Sequence, residues 1–189
     1  MHINIDLNEY MTNVDGLRNL VRYQSAPRVS SETVAEHSYY VAAYVLKLHN
    51  YYEFDLKKAL TMAILHDYAE TFISDVPHPI KKQFPLIEQE LNKAEHNIIS
   101  EHISSEFADW IDGFNNTNTP EGCIVAFADI LSVIAYAKYE IGLGNSKYMK
   151  DVLDRAKIRV YRVIDMCEKF LYPNVDNGII YELIEEFTK

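Results

Sequence analysis

The length, composition and charge of this chain limit the classes of protein to which it can belong. It has 189 residues, of which 48% are hydrophobic, and its formal net charge is −10. This length fits one domain, and the hydrophobic share is sufficient for a sizeable core. The negative charge argues against a nucleic-acid polymer as partner, because proteins that bind DNA or RNA gain much of their affinity by neutralising phosphates.

The sequence predicts neither a membrane span nor an export signal. No stretch reaches the roughly eighteen uninterrupted apolar residues of a spanning helix. The first residues, MHINIDLNEY, lack the basic start and the apolar run of a signal peptide. We therefore expect a cytoplasmic protein with no membrane partner. Cys123 and Cys167 lie in apolar helical stretches without a CxxC pairing, and we expect two buried thiols that take no part in chemistry.

The first half of the chain reads as helices joined by short turns. A first helix is predicted from about Leu7 to Tyr23, ahead of the SAPR stretch, because the residue before Pro27 disfavours helix. Thr33, with Glu36 three residues later, forms a capping box for a second helix. Asp55 can cap a third helix, which we predict to run without a break over 56–73 and to end before the next prolines.

The second half continues this pattern. Thr119 and Pro120 supply an N-cap and a first helical position for a long apolar helix that glycines 142 and 144 close. The other helices are predicted over about 85–103, 107–114 and 146–171, with a last one capped by Asp176 or Asn177. Alternating apolar and polar runs bounded by hairpin turns are missing, so we predict an all-α fold.

A polar pair interrupts the third predicted helix, since His66 and Asp67 directly follow an apolar run. Burying an imidazole and a carboxylate is unfavourable unless each is hydrogen-bonded or bound to a cation. Glu70 follows at the spacing of one helical turn, which would place it on the same side of a helix. A His-Asp pair occurs often by chance and can be a hydrogen-bonded structural pair, so the pair alone is weak evidence.

Two further polar residues strengthen the prediction of a metal site. His37 lies in the first turn of an otherwise apolar helix, and Asp129 interrupts the apolar helix after Thr119. Each could be a satisfied polar group of the core. With His66 and Asp67 they supply two imidazoles and two carboxylates from three helices, a set that suits a first-row divalent ion with positions left for water and substrate.

The order of these residues resembles the HD-domain phosphohydrolases, whose pattern is a His, then an adjacent His-Asp, then a distant Asp. The resemblance is closer to the bacterial 5′-deoxynucleotidases (YfbR-like). Those proteins carry an Arg-aromatic pair, a VSEHS-like segment, HDxxE and DxPxPxK. The corresponding segments here are Arg22-Tyr23, TVAEHS, HDYAE and DVPHPIK, which runs from Asp75 to Lys81. The resemblance implies a single HD domain over 1–189, a helical bundle with the metal site between helices, core motifs over 20–144 and C-terminal helices over 146–189.

The resemblance also implies roles for individual residues. One divalent transition metal, which could be Mn, Co, Zn, Fe or Ni, would be held by His37, His66, Asp67 and Asp129. Glu70 and Asp75 would lie beside the attacking water, where they orient it or move its protons. Arg22 and Lys81 would hold phosphate. Tyr23 takes the position of a Trp in the family pattern and could pack on the deoxyribose and obstruct a 2′-hydroxyl.

The resemblance leaves three functions open. The first is a 5′-deoxynucleotidase, which converts a deoxyribonucleoside 5′-monophosphate to a deoxynucleoside and phosphate. The second is a deoxynucleoside triphosphate triphosphohydrolase, similar to phage enzymes that convert dATP to deoxyadenosine and triphosphate. A triphosphate is a longer anion and needs more positively charged residues, which could be Arg18, Arg28 and Lys82 if they line the pocket. The third is a non-catalytic nucleotide-binding helical module, which the presence of all four ligands and both accessory carboxylates disfavours.

The ligand predicted from this resemblance is a small deoxynucleotide. We also expect a homo-oligomer, because the family commonly forms dimers. The apolar C-terminal helix predicted over 179–187 could bury one face against a second copy of the chain.

Overall fold

Helices form the regular structure of the chain in the computed structural model, which describes residues 7–171 and Glu185. The helices in this part of the chain are α1 (Leu7–Asn19), α2 (Val34–Leu48), α3 (Leu56–Leu65), α4 (Glu70–Ile73), α5 (His78–Gln83), α6 (Pro85–His102), α7 (Ser105–Asn115), α8 (Pro120–Gly142) and α9 (Ser146–Leu171). Within this described part of the chain, strand-like pairing is limited to one isolated antiparallel bridge between Val21 and Thr33. The predicted all-α class is confirmed.

Helix α8 is the centre of the fold and packs against α2, α3, α7 and α9. It is buried along nearly its whole length, and its apolar side chains join those of the four neighbouring helices in one core. By length and composition α8 could cross a membrane, but 83% of its most apolar window is buried inside the fold. Its all-round apolar character is therefore that of a central core helix.

The predicted helix starts are confirmed where a local capping motif specified them. Thr33 and Glu36 form a reciprocal capping box at the start of α2, with their backbone N–H groups each donating to the other's side chain at 2.7 and 3.2 Å. Asp55 accepts a backbone N–H at the start of α3, and Thr119 does the same for α8. These motifs need only neighbours along the chain, so the sequence alone is sufficient to predict them.

The predicted unbroken helix over 56–73 is wrong. Helix α3 ends at Leu65, and a turn over 66–69 separates it from the short α4. In that turn the Tyr68 N–H donates to the Leu65 carbonyl at 3.0 Å and the Glu70 N–H donates to the Asp67 carbonyl at 3.0 Å. These bonds reach back three residues and tighten the chain. His66 and Asp67 therefore lie in a turn at the end of a helix rather than within one.

The end of α1 also differs from its prediction. The helix ends at Asn19 rather than Tyr23, because the next residues pair with the segment before α2. The Arg22 N–H donates to the Glu32 carbonyl at 2.9 Å, and the Val34 N–H donates to the Leu20 carbonyl at 2.9 Å. Helix α5 was not predicted. The helix predicted after residue 176 lies outside the described residues, as does the proposed contact face over 179–187.

The two cysteines are buried as predicted, but the expectation of free thiols is wrong. Cys123 in α8 and Cys167 in α9 form a disulfide with 5.7 Å between their Cα atoms. The two residues are 44 positions apart, so no local motif indicated the pairing. The disulfide ties the last long helix to the central one.

Gly122 allows α7 and α8 to cross closely. A Cβ added at this position would lie 2.6 Å from the carbonyl oxygen of Gly113, which belongs to the backbone of α7. Gly122→Ala is therefore expected to lower the free energy of unfolding by about 1–3 kcal/mol through overpacking. Chemical denaturation measures the change. Gly142→Ala at the other end of α8 is the matched control, because a Cβ there meets nothing within 4 Å. Equal destabilisation by the two substitutions would contradict this interpretation of the crossing.

Candidate metal centre

Three parts of the fold bring the four predicted metal ligands together. His37 lies in the first turn of α2, His66 and Asp67 lie in the turn after α3, and Asp129 lies in the middle of α8. The His37 Nε2 atom is 3.2 Å from Asp129 Oδ1 and 3.7 Å from Asp67 Oδ2. The His66 Nε2 atom is 3.2 Å from Asp67 Oδ2. Both imidazoles are buried, with side-chain exposures of 1% and 3%.

The hydrogen bonds of the two imidazoles direct their Nε2 atoms toward the carboxylates. His66 Nδ1 is 3.0 Å from the Ala63 carbonyl oxygen. A carbonyl only accepts hydrogen bonds, so Nδ1 carries the hydrogen and the Nε2 of the neutral ring presents a lone pair. His37 Nδ1 lies 3.1 Å from the hydroxyl of Ser132, one turn beyond Asp129 on α8. Such a partner on the second nitrogen is typical of a histidine that binds a metal.

The donor atoms fit a divalent ion. Both Nε2 atoms are buried, and neither makes a hydrogen bond of acceptable geometry within the described part of the chain. One ligand atom each from His37, His66 and Asp129 can be chosen so that all three lie within 4.8 Å of one another. Asp67 contacts both imidazoles. Two imidazole nitrogens and two carboxylates at one point are a donor set that first-row divalent ions accept.

Electrostatics holds Asp67 and His37 in the protonation states that metal binding requires, whereas His66 releases a proton more easily when a cation binds than in its absence. Burial alone would raise the pKa of Asp67, but the neighbouring His66, with smaller effects from His37 and Arg22, brings that pKa well below its usual range. Burial lowers the pKa of His37 to about 4, so this imidazole is neutral at pH 7. For His66 the effect of burial is outweighed mainly by Asp67, and the pKa is raised. Ionised carboxylates and neutral imidazoles are the ligating forms.

Arg159 is a contributor to the centre that the sequence did not reveal. It lies on α9, and its Nη2 atom is 3.1 Å from Asp129 Oδ2. Burial would raise the pKa of Asp129, but Arg159 and then His37 bring it far below its usual range. Because Arg159 occupies one oxygen of Asp129, the other is left to face His37. Nothing in the KIRVYR segment distinguishes this arginine from an ordinary surface charge.

Glu70 and Asp75 lie beside the ligand cluster. Burial, reinforced by the charges of Asp67 and Asp75, raises the pKa of Glu70 to about 9. Its Oε2 atom is buried without a hydrogen-bond partner among the described residues. Burial also raises the pKa of Asp75, although Arg22 and the backbone N–H of Tyr23 partly oppose the change. Two carboxyl groups with raised pKa values therefore adjoin the predicted metal ligands.

Arg22 is a buried cation at this site. Its Nη1 atom donates to Glu32 Oε2 at 2.9 Å, and the two side chains are only 15% and 6% exposed. The charge of Arg22 also acts on Asp67 and Asp75, whose pKa values it lowers. Glu32 was not singled out in the sequence, where it is one acidic residue in an SSET stretch. The ion pair across the Val21–Thr33 bridge is visible only in the folded chain.

Tyr23 and Lys81, the other two predicted substrate-binding residues, each contact a residue outside the ligand cluster. The Tyr23 ring stacks on Tyr136 of α8, with 5.0 Å between centroids and 10° between planes. Its backbone has a φ of 58°, a left-handed conformation that bulky residues rarely adopt. Lys81 pairs with Glu95 of α6 at 3.2 Å, and its charge lowers the pKa of both Glu70 and Asp75. The structure thus brings all nine predicted site residues into one region.

Replacing Arg22 tests the buried ion pair. Arg22→Gln leaves the Glu32 carboxylate buried without its counter-charge, so the free energy of unfolding is expected to fall by about 3–5 kcal/mol. Arg18→Gln is the matched control, because Arg18 and its partner Asp15 are 78% and 70% exposed; such surface pairs contribute about 0–1 kcal/mol. Urea denaturation of both variants with EDTA present measures the difference. Similar losses would contradict the assignment of Arg22 to the protein interior.

The raised pKa of Glu70 predicts a pH-dependent stability of the metal-free protein. The folded state holds this proton up to a pKa of about 9, whereas the ordinary value is 4.5. The resulting stabilisation is complete below the ordinary pKa and is lost as pH rises toward 9. Glu70→Gln stays neutral, so its stability relative to the natural protein should increase between about pH 5 and pH 9. Urea midpoints in EDTA measure this trend, with the exposed Glu90→Gln as control. A pH-independent difference would contradict it.

Comparison with known proteins places this geometry in a family. Residues 9–171 match the protein-family model described as 5′-deoxynucleotidase YfbR-like. The chain is 30% identical over 162 residues to the 5′-deoxynucleotidase of Vibrio atlanticus, with 79% of this chain and 80% of that protein covered.

Two solved structures show the same fold. An HD-domain phosphohydrolase from Listeria innocua superposes with a TM-score of 0.68 and 24% identity, covering 96% of this chain and 98% of that one. The cyanophage S-2L HD phosphohydrolase DatZ, solved with dA and one catalytic Zn²⁺, has a TM-score of 0.63 and 18% identity and covers 93% and 92% of the two chains. The match over most of the chain shows that this protein belongs to the 5′-deoxynucleotidase YfbR-like family.

Proposed function

We propose that this protein is a metal-dependent phosphohydrolase that converts deoxyribonucleoside 5′-monophosphates to deoxynucleosides and phosphate. The proposal rests on the buried Nε2 atoms of His37 and His66. Both atoms face carboxylates, but neither nitrogen has a hydrogen-bond partner among the described residues. A purely structural core would leave these atoms uncompensated. The 5′-deoxynucleotidase name of the Vibrio atlanticus relative supports the choice of substrate.

The metal in this proposal is held by His37, His66, Asp67 and Asp129. A bound divalent ion supplies Lewis acidity, which polarises a phosphoryl oxygen and lowers the pKa of water toward neutrality. Manganese, cobalt, zinc, iron and nickel all accept a mixed imidazole and carboxylate set. Arg159 keeps one oxygen of Asp129 occupied, so that this ligand presents its other oxygen to the centre.

Arg22 binds the phosphate in this proposal. Its guanidinium has five N–H donors, and one nitrogen is engaged by Glu32. The remaining donors can hold phosphate oxygens, because the side chain lies close enough to lower the pKa of Asp67 and Asp75. Lys81 is the second candidate, since its charge reaches Glu70 and Asp75. Both cations thus lie beside the carboxyl groups that handle protons.

Glu70 and Asp75 orient the attacking water and move its proton. Glu70 holds a proton in the metal-free protein, and a bound divalent cation would favour its ionised form. An ionised carboxylate here can accept a proton from the water as that water attacks phosphorus. The same proton can then pass to the 5′-oxygen of the departing deoxynucleoside when its bond to phosphorus breaks. The raised pKa of both groups supports this role.

Tyr23 is the candidate for recognising the sugar. It adjoins Arg22 in the chain, and its ring position is fixed by the stack on Tyr136. A ring packed on the deoxyribose leaves little room for a 2′-hydroxyl. Discrimination by such packing is worth at most a few kcal/mol, so we expect a preference for deoxynucleotides rather than complete exclusion of ribonucleotides.

The positions of the positively charged residues favour a monophosphate over a triphosphate as substrate. Arg18, Arg28 and Lys82 are the residues that could extend the site for a triphosphate. Arg18 pairs with Asp15 at the surface, and Arg28 donates to the Tyr23 carbonyl at 3.0 Å. The side chain of Lys82 lies outside the described part of the molecule. Among the described residues, Arg22 and Lys81 are the cations whose charges act on Glu70 and Asp75, which supports a site for a single phosphate.

We further propose a single-domain, cytoplasmic homo-oligomer that acts on small molecules. The net charge of −10 supports the exclusion of nucleic-acid polymers. Exposed apolar side chains on α9, including Ile158 and Met166 at 55% and 58% exposure, support a contact with a second copy of the chain.

Product analysis tests the function. The metal-loaded protein is incubated with deoxynucleoside mono- and triphosphates and their ribose counterparts, and the released phosphate species are identified. We expect orthophosphate from the deoxymonophosphates, and at least a hundredfold loss in Asp67→Ala, because the substitution removes a metal ligand.

The matched control is Asp112→Ala. Asp112 also lies 3.2 Å from a histidine, His96, but this pair is at the surface, so activity should be retained. Tripolyphosphate from a deoxytriphosphate would instead establish the triphosphohydrolase. Release of neither product would contradict both enzymatic functions and favour the non-catalytic binding module.

A further inference from the structure

A second buried polar cluster lies at the other end of α8 from its N-cap, against the loop over 22–32. Tyr136 and Glu140 of α8, with Asn145 just beyond it, form this loop-binding cluster, and they are 7%, 0% and 8% exposed. The proposed chemistry uses Tyr136 only as the ring on which Tyr23 stacks, and it uses neither Glu140 nor Asn145.

Glu140 binds the loop through two backbone donors. The Val29 N–H donates to Oε2 at 2.8 Å, and the Ser30 N–H donates to Oε1 at 2.6 Å. Burial would raise the pKa of Glu140, but these donors and Asn145 lower it. The carboxylate is therefore ionised while fully buried, and hydrogen bonds to its charged form are among the strongest in proteins.

Asn145 and Tyr136 bind the carbonyl groups of the same loop. Asn145 Nδ2 donates to the Pro27 carbonyl at 2.9 Å and to Glu140 Oε2 at 2.7 Å. The Tyr136 hydroxyl donates to the Ser30 carbonyl at 2.8 Å. Three side chains thus bind backbone groups over 27–30. An apolar residue at position 140 would fill the space but would leave the Val29 and Ser30 donors unpaired.

The loop bound in this way begins at Arg22 and Tyr23. Tyr136 joins the two sites directly, because its ring stacks on Tyr23. Within the loop, Arg28 donates to the Tyr23 carbonyl at 3.0 Å. Tyr23 has the left-handed φ of 58°, and an unfavourable backbone conformation persists only when the surrounding contacts determine it.

We propose that Glu140, together with Tyr136 and Asn145, is a positioning residue that fixes the Arg22–Tyr23 segment for substrate binding. The inference rests on the proposed function, in which Arg22 holds phosphate and Tyr23 contacts the sugar. Asp129 and Glu140 are 11 residues apart on α8, about 16 Å at the rise of an α-helix. Helix α8 therefore fixes the distance between the proposed substrate-binding segment and the proposed metal ligand Asp129.

Kinetics of Glu140→Gln tests the proposal. The side-chain NH₂ of glutamine cannot accept a hydrogen bond, so one loop donor loses its partner and the segment shifts. We expect KM for the deoxymonophosphate to rise about tenfold while kcat changes less than about twofold, since contacts made equally in ground and transition states act through KM. The affinity for Mn²⁺, measured by calorimetry on the metal-free protein, should stay within about twofold. An unchanged KM, or a fall in kcat alone, would overturn the proposal.

Two further variants separate positioning from a general loss of stability. Tyr136→Phe keeps the ring stack but removes the bond to Ser30, so its rise in KM should be smaller than that of Glu140→Gln. Thr119→Ala removes the N-cap at the opposite end of α8 and lowers stability without touching the loop. Its KM should match that of the natural protein. A rise in KM equal to that of Glu140→Gln would show that the effect is structural and would overturn the proposal.

Hydrogen exchange distinguishes a failure of this inference from a failure of the proposed function. The amides of Arg22, Val29 and Ser30 all donate hydrogen bonds in the structure, and their exchange is measured without metal or substrate. Glu140→Gln should accelerate exchange at all three, including Arg22, which does not contact Glu140. If no deoxynucleotide is hydrolysed, the proposed function fails, and this measurement still decides the positioning role. Unchanged protection at Arg22 would overturn it.

Discussion

The burial of two ionised carboxylates against two imidazoles is the constraint on which the rest of this structure depends. Asp67 and Asp129 lie in a helical core where a charge without compensation is strongly unfavourable. Histidine nitrogens face them, Arg159 bonds directly to Asp129, and the charge of Arg22, which is paired with Glu32, also acts on Asp67. The arrangement compensates the carboxylates without occupying the two Nε2 lone pairs, which leaves a donor set directed at a cation.

Helix α8 allows this constraint to be met in one place. It carries Asp129 and the Ser132 hydroxyl that contacts His37, and its later turns bind the loop that begins at Arg22 and Tyr23. Its close approach to α7 at Gly122 and its disulfide to α9 fix it on two sides. The helix is thus both the hydrophobic centre of the bundle and the part that sets the distances between functional groups. Small shifts of α8 would move the proposed metal ligands and the proposed substrate-binding residues together.

Sequence reasoning succeeded where the information is local. The capping residues Thr33, Asp55 and Thr119 mark helix starts because their partners lie within three positions, and the apolar periodicity gives the all-α class. It failed at His66, where a helical pattern continues but the backbone turns. It also missed Arg159, whose partner is 30 residues away, and Glu140, whose partners are 110 and 111 away. Such pairings depend on how helices pack, and neither residue has an unusual neighbourhood in the sequence.

The buried Arg22–Glu32 pair reconciles an acidic protein with an anionic substrate. A net charge of −10 repels polyanions at long range, but screening limits that repulsion to about 8–10 Å at physiological ionic strength. Inside the site, the nearby charge of Arg22 has a larger effect on the affinity for an anion than the net charge of the chain. Because Glu32 already compensates and orients Arg22, little side-chain entropy remains to be lost when phosphate binds. A phosphate that reaches the site would meet a preorganised guanidinium beside two carboxyl groups with raised pKa values. The ion pair therefore supports the proposed affinity for phosphate in a protein whose overall charge is negative.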